Sequence, residues 1–162
     1  MTGASALTAG AFELHHVGIV VSDLEKAVAF YAQHLGLIPE TPSPWAIIPG
    51  KPLGMDGDDV KLRWAFMRLG STVIEIHEFD GAFQSSKPRT TDQPGVGHLA
   101  LKVPDIHSAR RDLAKAGITF YSAPNVLDLP GQDGDQWVYG KDPFGVTIEL
   151  YQQAERTRNT HE

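Results

Sequence analysis

The chain has 162 residues, the size of one domain or of two small ones. Its 20 acidic and 14 basic residues leave a formal charge of −6, which argues against nucleic-acid binding because phosphates are bound by clustered cations. A hydrophobic share of 41% excludes wholesale disorder, and no apolar run is long enough to cross a bilayer. With no cysteine and no signal-peptide pattern, we expect a cytoplasmic protein whose metal ligands, if any, are His, Asp or Glu.

The sequence contains an internal repeat with a spacing of about 80 residues. Residues 16–27 (HVGIVVSDLEKA) align with residues 98–109 (HLALKVPDIHSA), and a His, a Val, an Asp and an Ala coincide. Each half then ends in an apolar segment around one glutamate, VIEI at 73–76 and TIEL at 147–150. Two copies are too few for a solenoid, so the repeat predicts two pseudo-symmetric modules that share one core.

The elements of the first half follow from its patterning. Ser22 and Glu25 have the spacing of a capping box, an apolar stripe at helical spacing follows them, and Gly36 ends it. Gly70-Ser71 has the composition of a two-residue hairpin turn. The predicted strands of this half are 13–21, 60–69 and 72–79.

The second half repeats this order. Asp105 is a good helix N-cap, a second apolar stripe follows, and Gly117 ends it. The predicted strands of this half are 97–103, 135–140 and 146–151. The expected fold class is therefore α+β, with two pseudo-symmetric βαβββ modules forming a cupped mixed sheet. The expected organisation is a flexible N-terminus at 1–11, a first module at 12–79, a linker at 80–95, a second module at 96–153 and a flexible tail at 154–162.

Two histidines occupy equivalent positions in the opening strands. Side chains alternate along a strand, so the apolar rows face the helices while His16 and His98 face away from them. Gly18 and Ala100 stand on the same faces and leave room for a ligand or a metal. The same alternation predicts that His15 faces the other way and is not a ligand.

Two glutamates occupy equivalent positions in the closing strands. Glu75 and Glu149 also face away from the helices, and a glutamate inside an apolar strand is costly to bury unless it is paired or bound to a metal. A lone strand histidine or glutamate is more often an ordinary polar residue, but two of each in register with the repeat favour a metal site. The predicted ligands are His16, Glu75, His98 and Glu149.

Other side chains are expected to line a substrate cavity. His77 shares the face of Glu75, and a hairpin turn at Gly70-Ser71 would set Phe66 opposite Glu75. The segment 41–59 is long and rich in Pro and Gly, which is typical of a lid, so Trp45 is expected to cover an apolar substrate. The predicted substrate-binding residues are His77, Tyr151, Phe66, Trp64, Arg68, Trp45 and Tyr139.

Four segments together resemble the vicinal oxygen chelate superfamily, which includes glyoxalase I, methylmalonyl-CoA epimerase, extradiol dioxygenases, and fosfomycin and bleomycin resistance proteins. The segments are HHVGIVVSDLEKAVAFYAQHLGL, STVIEIHEF, GVGHLALKVPDIHSA and YGKDPFGVTIELY, and they span residues 13–151. The resemblance implies a glyoxalase-like fold whose sheets cup a central metal. Its motif positions fall on His16, Glu75, His98 and Glu149, the order of ligand types found in bacterial-type glyoxalase I.

This ligand set indicates a chemistry. Two imidazoles and two carboxylates suit one divalent ion of Ni, Co, Zn, Mn or Fe(II), and no organic cofactor is evident. Two open positions would accept a small substrate with vicinal oxygens, whose C–H next to the carbonyl becomes acidic. Glu149 or Glu75 is then the general base of an isomerisation, an epimerisation or a lyase reaction. We also expect a homodimer, with neither a nucleic-acid nor a membrane partner.

Three alternatives use the same fold. An extradiol Fe(II) dioxygenase needs two His and one carboxylate, and its signature has an acid–base histidine where this chain has Pro130, Gly131 and Gln132. A drug-sequestering resistance protein lacks the ligands, and a metal-dependent resistance transferase keeps them. The missing histidine weighs against the first alternative, and the ligand set weighs against sequestration.

Overall fold

The first half of the chain forms a five-stranded mixed sheet with one helix. The computed structural model describes residues 13–55, 59–81, 95 and 97–155. The elements of this half are β1 (Val17–Val20), α1 (Leu24–Leu35), β2 (Ile38–Pro39), β3 (Ala46–Pro49), a short 3₁₀ turn (Lys51–Leu53), β4 (Asp59–Leu69) and β5 (Thr72–Phe79). The strand order is β1-β5-β4-β2, with β3 also paired to β4, and β1 runs parallel to β5.

The second half repeats this architecture. Its elements are β6 (Leu99–Lys102), α2 (Ile106–Ala116), β7 (Thr119–Phe120), β8 (Asn125–Val126), β9 (Gln136–Lys141) and β10 (Thr147–Gln152). The order is β6-β10-β9-β7 with β8 on β9, and β6 runs parallel to β10. The α+β class is confirmed, but each half has five strands, whereas the βαβββ pattern predicts four and the sequence located three of them. Most of the predicted linker, the predicted flexible N-terminus and residues 156–162 of the predicted tail lie outside the described residues.

The first turn of α1 corrects the prediction of a capping box at Ser22 and Glu25. The N-cap of α1 is Asp23, whose side chain accepts a backbone N–H of the first turn, so Ser22 is not the cap. Glu25 reaches out instead to the guanidinium of Arg63 at 2.8 Å. Asp105 caps α2 as predicted, at the position equivalent to Asp23 in the repeat. Neither of the two helices is long and apolar enough to cross a membrane.

Each helix start is also tied to the last strand of its own half. Glu78 Oε2 accepts the backbone N–H of Leu24 at 2.8 Å, and Gln152 Oε1 accepts that of Ile106 at 2.7 Å. A free N–H at a helix start is costly when it is shielded from water, so these bonds fix each helix on its sheet.

Two hydrophobic clusters meet between the halves. The first joins α1 to β4 and β5, and the second joins α2 to β9 and β10. The side chains that pack against both clusters are Phe30, Leu35, Leu99 and Val146. The shared contacts make the two halves one packed unit.

A buried polar pair bridges the same boundary. The hydroxyl of Tyr31 donates to Asp142 Oδ2 at 2.6 Å, and Tyr31 is fully buried. Asp142 Oδ1 accepts the backbone N–H groups of Phe144 and Val146. Burial raises the pKa of Asp142 and of Tyr31 above their ordinary values. The pair therefore satisfies a carboxyl group that would otherwise be costly to bury.

We expect Tyr31→Phe to lower the free energy of unfolding by about 1–3 kcal/mol, because it strips a donor from a buried carboxyl group. Urea denaturation followed by circular dichroism measures the change. Tyr121→Phe is the matched control, since Tyr121 is 58% exposed and should change stability by less than about 0.5 kcal/mol. Equal effects of the two substitutions would contradict this account of the bridge.

Candidate functional site

The first half-site lies on the face of the first sheet turned away from α1, which we call the site face of that sheet. Ile74 and Ile76 are buried towards the helix, so Glu75 between them takes the site face. Glu75 Oε2 lies 2.9 Å from Nε2 of His16 and 2.8 Å from Nε2 of His77. Gly18 pairs with Glu75, and a Cβ built there would meet no atom within 4 Å. The space in front of the carboxylate is therefore open.

The second half-site occupies the equivalent face of the second sheet. Nε2 of His98 lies 3.0 Å from Oε2 of Glu149, whose side chain is only 12% exposed. Tyr139 pairs with Glu149 across β9 and β10, which sets its side chain beside that carboxylate. Burial first, and then the charge of Glu149, raises the pKa of Tyr139.

The two half-sites share more than their His–Glu pairs. Phe66 pairs with Glu75 as Tyr139 pairs with Glu149, and their rings lie edge-on to His16 and His98 at centroid distances of 5.6 and 5.0 Å. A tryptophan two residues before each ring and a cation two residues after it complete the match. These are Trp64 and Arg68 in the first half, and Trp137 and Lys141 in the second.

Sequence reasoning missed two members of this set. Trp137 and Lys141 lie on the site face of the second sheet, opposite Tyr151 and Thr147. The signal was present in the chain, since WAFMR at 64–68 parallels WVYGK at 137–141. A search for the repeat around the first strand predicted after each helix would have found both residues.

Two residues predicted to bind substrate, Trp45 and Tyr151, make other contacts in the structure. Trp45 lies against the cations of Lys61 and Arg63, at 4.9 and 4.7 Å from its ring centroid. Arg63 reaches α1 through Glu25, so the structure sets Trp45 on the helix side and does not bring it to Glu75. Tyr151 is on the site face, but its hydroxyl donates to the buried Asp135 at 2.6 Å.

The position of His15 contradicts the prediction that it faces the other way from His16. Strand alternation does not apply to it, because β1 begins only at Val17. Its Nδ1 lies 2.7 Å from Nδ1 of His16, and the two rings meet edge-on. His15 also lines a cavity of about 480 Å³ together with Phe66 and Arg68. It therefore belongs to the surroundings of the first half-site.

The four predicted ligands come together in pairs and not as one group. Within residues 13–55, 59–81, 95 and 97–155, no cluster of three or more His, Asp or Glu is arranged to hold a metal ion. Each pair nevertheless fits part of a metal site, because two ligands about 2.1 Å from an ion and at right angles stand about 3.0 Å apart. The His16–Glu75 and His98–Glu149 contacts are 2.9 and 3.0 Å.

The Nε2 of His77 supports the same interpretation. It is buried and makes no hydrogen bond to any described residue, although it lies 2.8 Å from Glu75 Oε2. A buried imidazole nitrogen without a hydrogen bond is costly. A cation between these groups would relieve that cost.

The fold and the paired sites define a class of protein. The chain matches the model of the Glyoxalase/Bleomycin resistance protein/Dioxygenase superfamily over residues 13–150, and it belongs to that family. This confirms the resemblance read from the sequence motifs.

Two known proteins and one solved structure are similar to this chain. The chain is 32% identical over 150 residues to a 2-epi-5-epi-valiolone epimerase of an Actinomyces species, covering 87% of this chain and 79% of that protein. It is 31% identical over 146 residues to the human mitochondrial methylmalonyl-CoA epimerase, covering 86% and 73%. The crystal structure of a glyoxalase family protein from Enterococcus faecalis superposes with a TM-score of 0.62 at 25% identity, covering 86% and 96%.

Proposed function

We propose that the protein is a metal-dependent epimerase that moves a proton at the carbon next to a carbonyl group. The observation that carries this proposal is the pair of His–Glu contacts at equivalent positions of the repeat, with N···O distances of 2.9 and 3.0 Å. The similarity to two epimerases supports it. His16, Glu75, His98 and Glu149 would hold the ion.

A divalent ion held by these residues would supply Lewis acidity, which would lower the pKa of a C–H beside a substrate carbonyl. Glu149 then takes the proton, and the hydroxyl of Tyr139 orients that carboxylate. Glu75 lies on the equivalent face of the other half, and as its carboxylic acid it would donate a proton to the opposite side of the substrate carbon, which inverts that centre. Proton exchange with solvent would then return Glu149 to the carboxylate and Glu75 to the acid. His77 Nε2 lies 2.8 Å from the oxygen of Glu75 that also faces His16.

A second copy of the chain would complete the site. Among the described residues, β1 pairs only with β5 and β6 only with β10, so both sheets end in an open strand edge. Val17 and Val20 on β1 are 43% and 42% exposed, and such an edge favours pairing with another strand. His16 and His98 directly precede these two strands. We propose a homodimer in which β1 of one subunit meets β6 of the other, so that each site draws one half-site from each chain.

We expect Tyr139→Phe to weaken the affinity for divalent metal by about 10–100-fold, because a hydrogen-bond partner that orients a ligand contributes about that much. Competition with a chelator of known affinity measures the change. Trp137→Phe is the control on the same strand, since it leaves the hydroxyl of Tyr139 in place. Equal affinities of Tyr139→Phe and the unaltered protein would contradict the role of Tyr139.

The proposal is tested on protein purified without chelator or metal resin. We expect about one Ni, Co, Zn or Mn per chain, and metal-dependent exchange of the C–H protons of hydroxyacetone in D₂O, followed by NMR. Iron that is lost in air, together with cleavage of catechols, would favour the dioxygenase. No bound metal after reconstitution would overturn the proposal and favour a sequestering protein.

A further inference from the structure

We propose that the cavity beside His16 and Glu75 binds the uncharged, hydroxyl-rich part of the substrate, so that the enzyme acts on a polyhydroxylated ketone and not on a phosphate-bearing thioester. This inference rests on the proposed function and names its substrate class. The cavity has a volume of about 480 Å³. That volume is large enough for a six-membered ring with its hydroxyl groups.

The cavity adjoins the first half-site through Phe66 and Val73. Phe66 lines it and also pairs with Glu75, while its ring lies edge-on to that of His16. Val73 lines it and stands on the site face two residues before Glu75. A substrate whose carbonyl is next to Glu75 would extend into this cavity.

The walls of the cavity carry both donors and acceptors. Arg68 donates through Nε to Glu40 Oε1 at 3.0 Å, and among the described residues this is the hydrogen bond that its guanidinium makes. The two terminal nitrogens of Arg68 are therefore available to a ligand. Glu13 and the second oxygen of Glu40 are acceptors on the same walls. A hydroxyl group both donates and accepts, and it is the group that satisfies such a mixed set.

The charge of the cavity disfavours phosphate groups inside it, and therefore a ligand that places a nucleotide there. Two carboxylates and one guanidinium leave a net single negative charge when His15 is neutral. A nucleotide thioester carries several phosphate charges, which this wall would repel. The phenyl ring of Phe66 and the methyl groups of Val73 instead match the C–H face of a cyclic polyol.

The test compares three ligands by calorimetry on the full chain reconstituted with Mn(II). Hydroxyacetone offers only two vicinal oxygens, 2-keto-myo-inositol adds a ring of hydroxyl groups, and propionyl-CoA is the anionic thioester. We expect the inositol ketone to bind at least about 10-fold more tightly than hydroxyacetone. Tighter binding of propionyl-CoA than of the inositol ketone would overturn the inference.

Substitutions of Arg68 and Glu40 test whether these residues form the subsite. We expect Arg68→Met and Glu40→Gln each to weaken binding of the inositol ketone by about 10-fold and to leave hydroxyacetone binding unchanged. Lys61→Met and Asp80→Asn are matched controls, because they break another exposed ion pair of the same sheet at 2.9 Å. If Arg68→Met and Glu40→Gln behave like these controls, the subsite is wrong while the metal site stands. If hydroxyacetone does not bind at all, the proposed function itself fails.

Discussion

Glu75→Gln and Glu149→Gln should each abolish stable metal binding and lower turnover by about 10²–10⁴-fold. Each substitution removes a charge that holds the ion and also removes one of the two proposed proton-transfer groups. The pseudo-symmetry of the half-sites makes the two effects similar in size, since each glutamate contacts one opening-strand histidine at nearly the same distance. Metal content by mass spectrometry and C–H exchange in D₂O are the two readouts.

Asp112→Asn controls for the loss of one negative charge, because Asp112 is exposed on α2 and lies outside both half-sites. It should retain full metal content and full exchange. Full metal content in both glutamate variants would remove the four-ligand site from consideration. Loss of metal in only one of them would indicate that a single half-site holds the ion.

Mixing two inactive variants should restore activity. His16→Ala disables the first half-site of a chain, and His98→Ala disables the second. In a homodimer that shares its sites, each mixed dimer has one site with both mutations and one site with none. Random pairing makes half of the dimers mixed, so co-expression should recover about a quarter of the unaltered activity and of the metal content.

A site built from a single chain would give a different result. If all four ligands came from one chain, every site in the mixture would keep a mutation and the activity would stay at the level of the single variants. Analytical ultracentrifugation of the mixture shows in the same sample whether dimers are present. Dimers without recovery would therefore contradict the shared site and not the assembly itself.

Local patterning was enough to predict the main elements of the fold. The apolar stripes and the glycines that follow them defined both helices, and the two-residue turn at Gly70 set the register in which Phe66 pairs with Glu75. The short strands β2, β3, β7 and β8 escaped notice because segments of two to four residues carry no measurable alternation. The cap at Asp23 was missed because Ser22 and Glu25 have the spacing of a capping box.

Errors at the site arose where tertiary contacts override local rules. Trp45 was assigned to a lid by the composition of its loop, whereas cation–π contacts to Lys61 and Arg63 hold it on the helix side. His15 was excluded by an alternation that requires a strand, and the strand starts two residues later. The pairwise grouping of the ligands depends on how whole sheets are placed, which no local pattern encodes.

Each helix start is hydrogen-bonded to the last strand of its half. These two bonds have a consequence for the order in which the chain folds. Glu78 reaches across 54 residues to Leu24, and Gln152 across 46 residues to Ile106. Closing a loop of this length costs conformational entropy, so we expect these two hydrogen bonds to form late in folding. Each helix is therefore expected to gain its final stabilisation only when the strand bearing Glu75 or Glu149 is already in place.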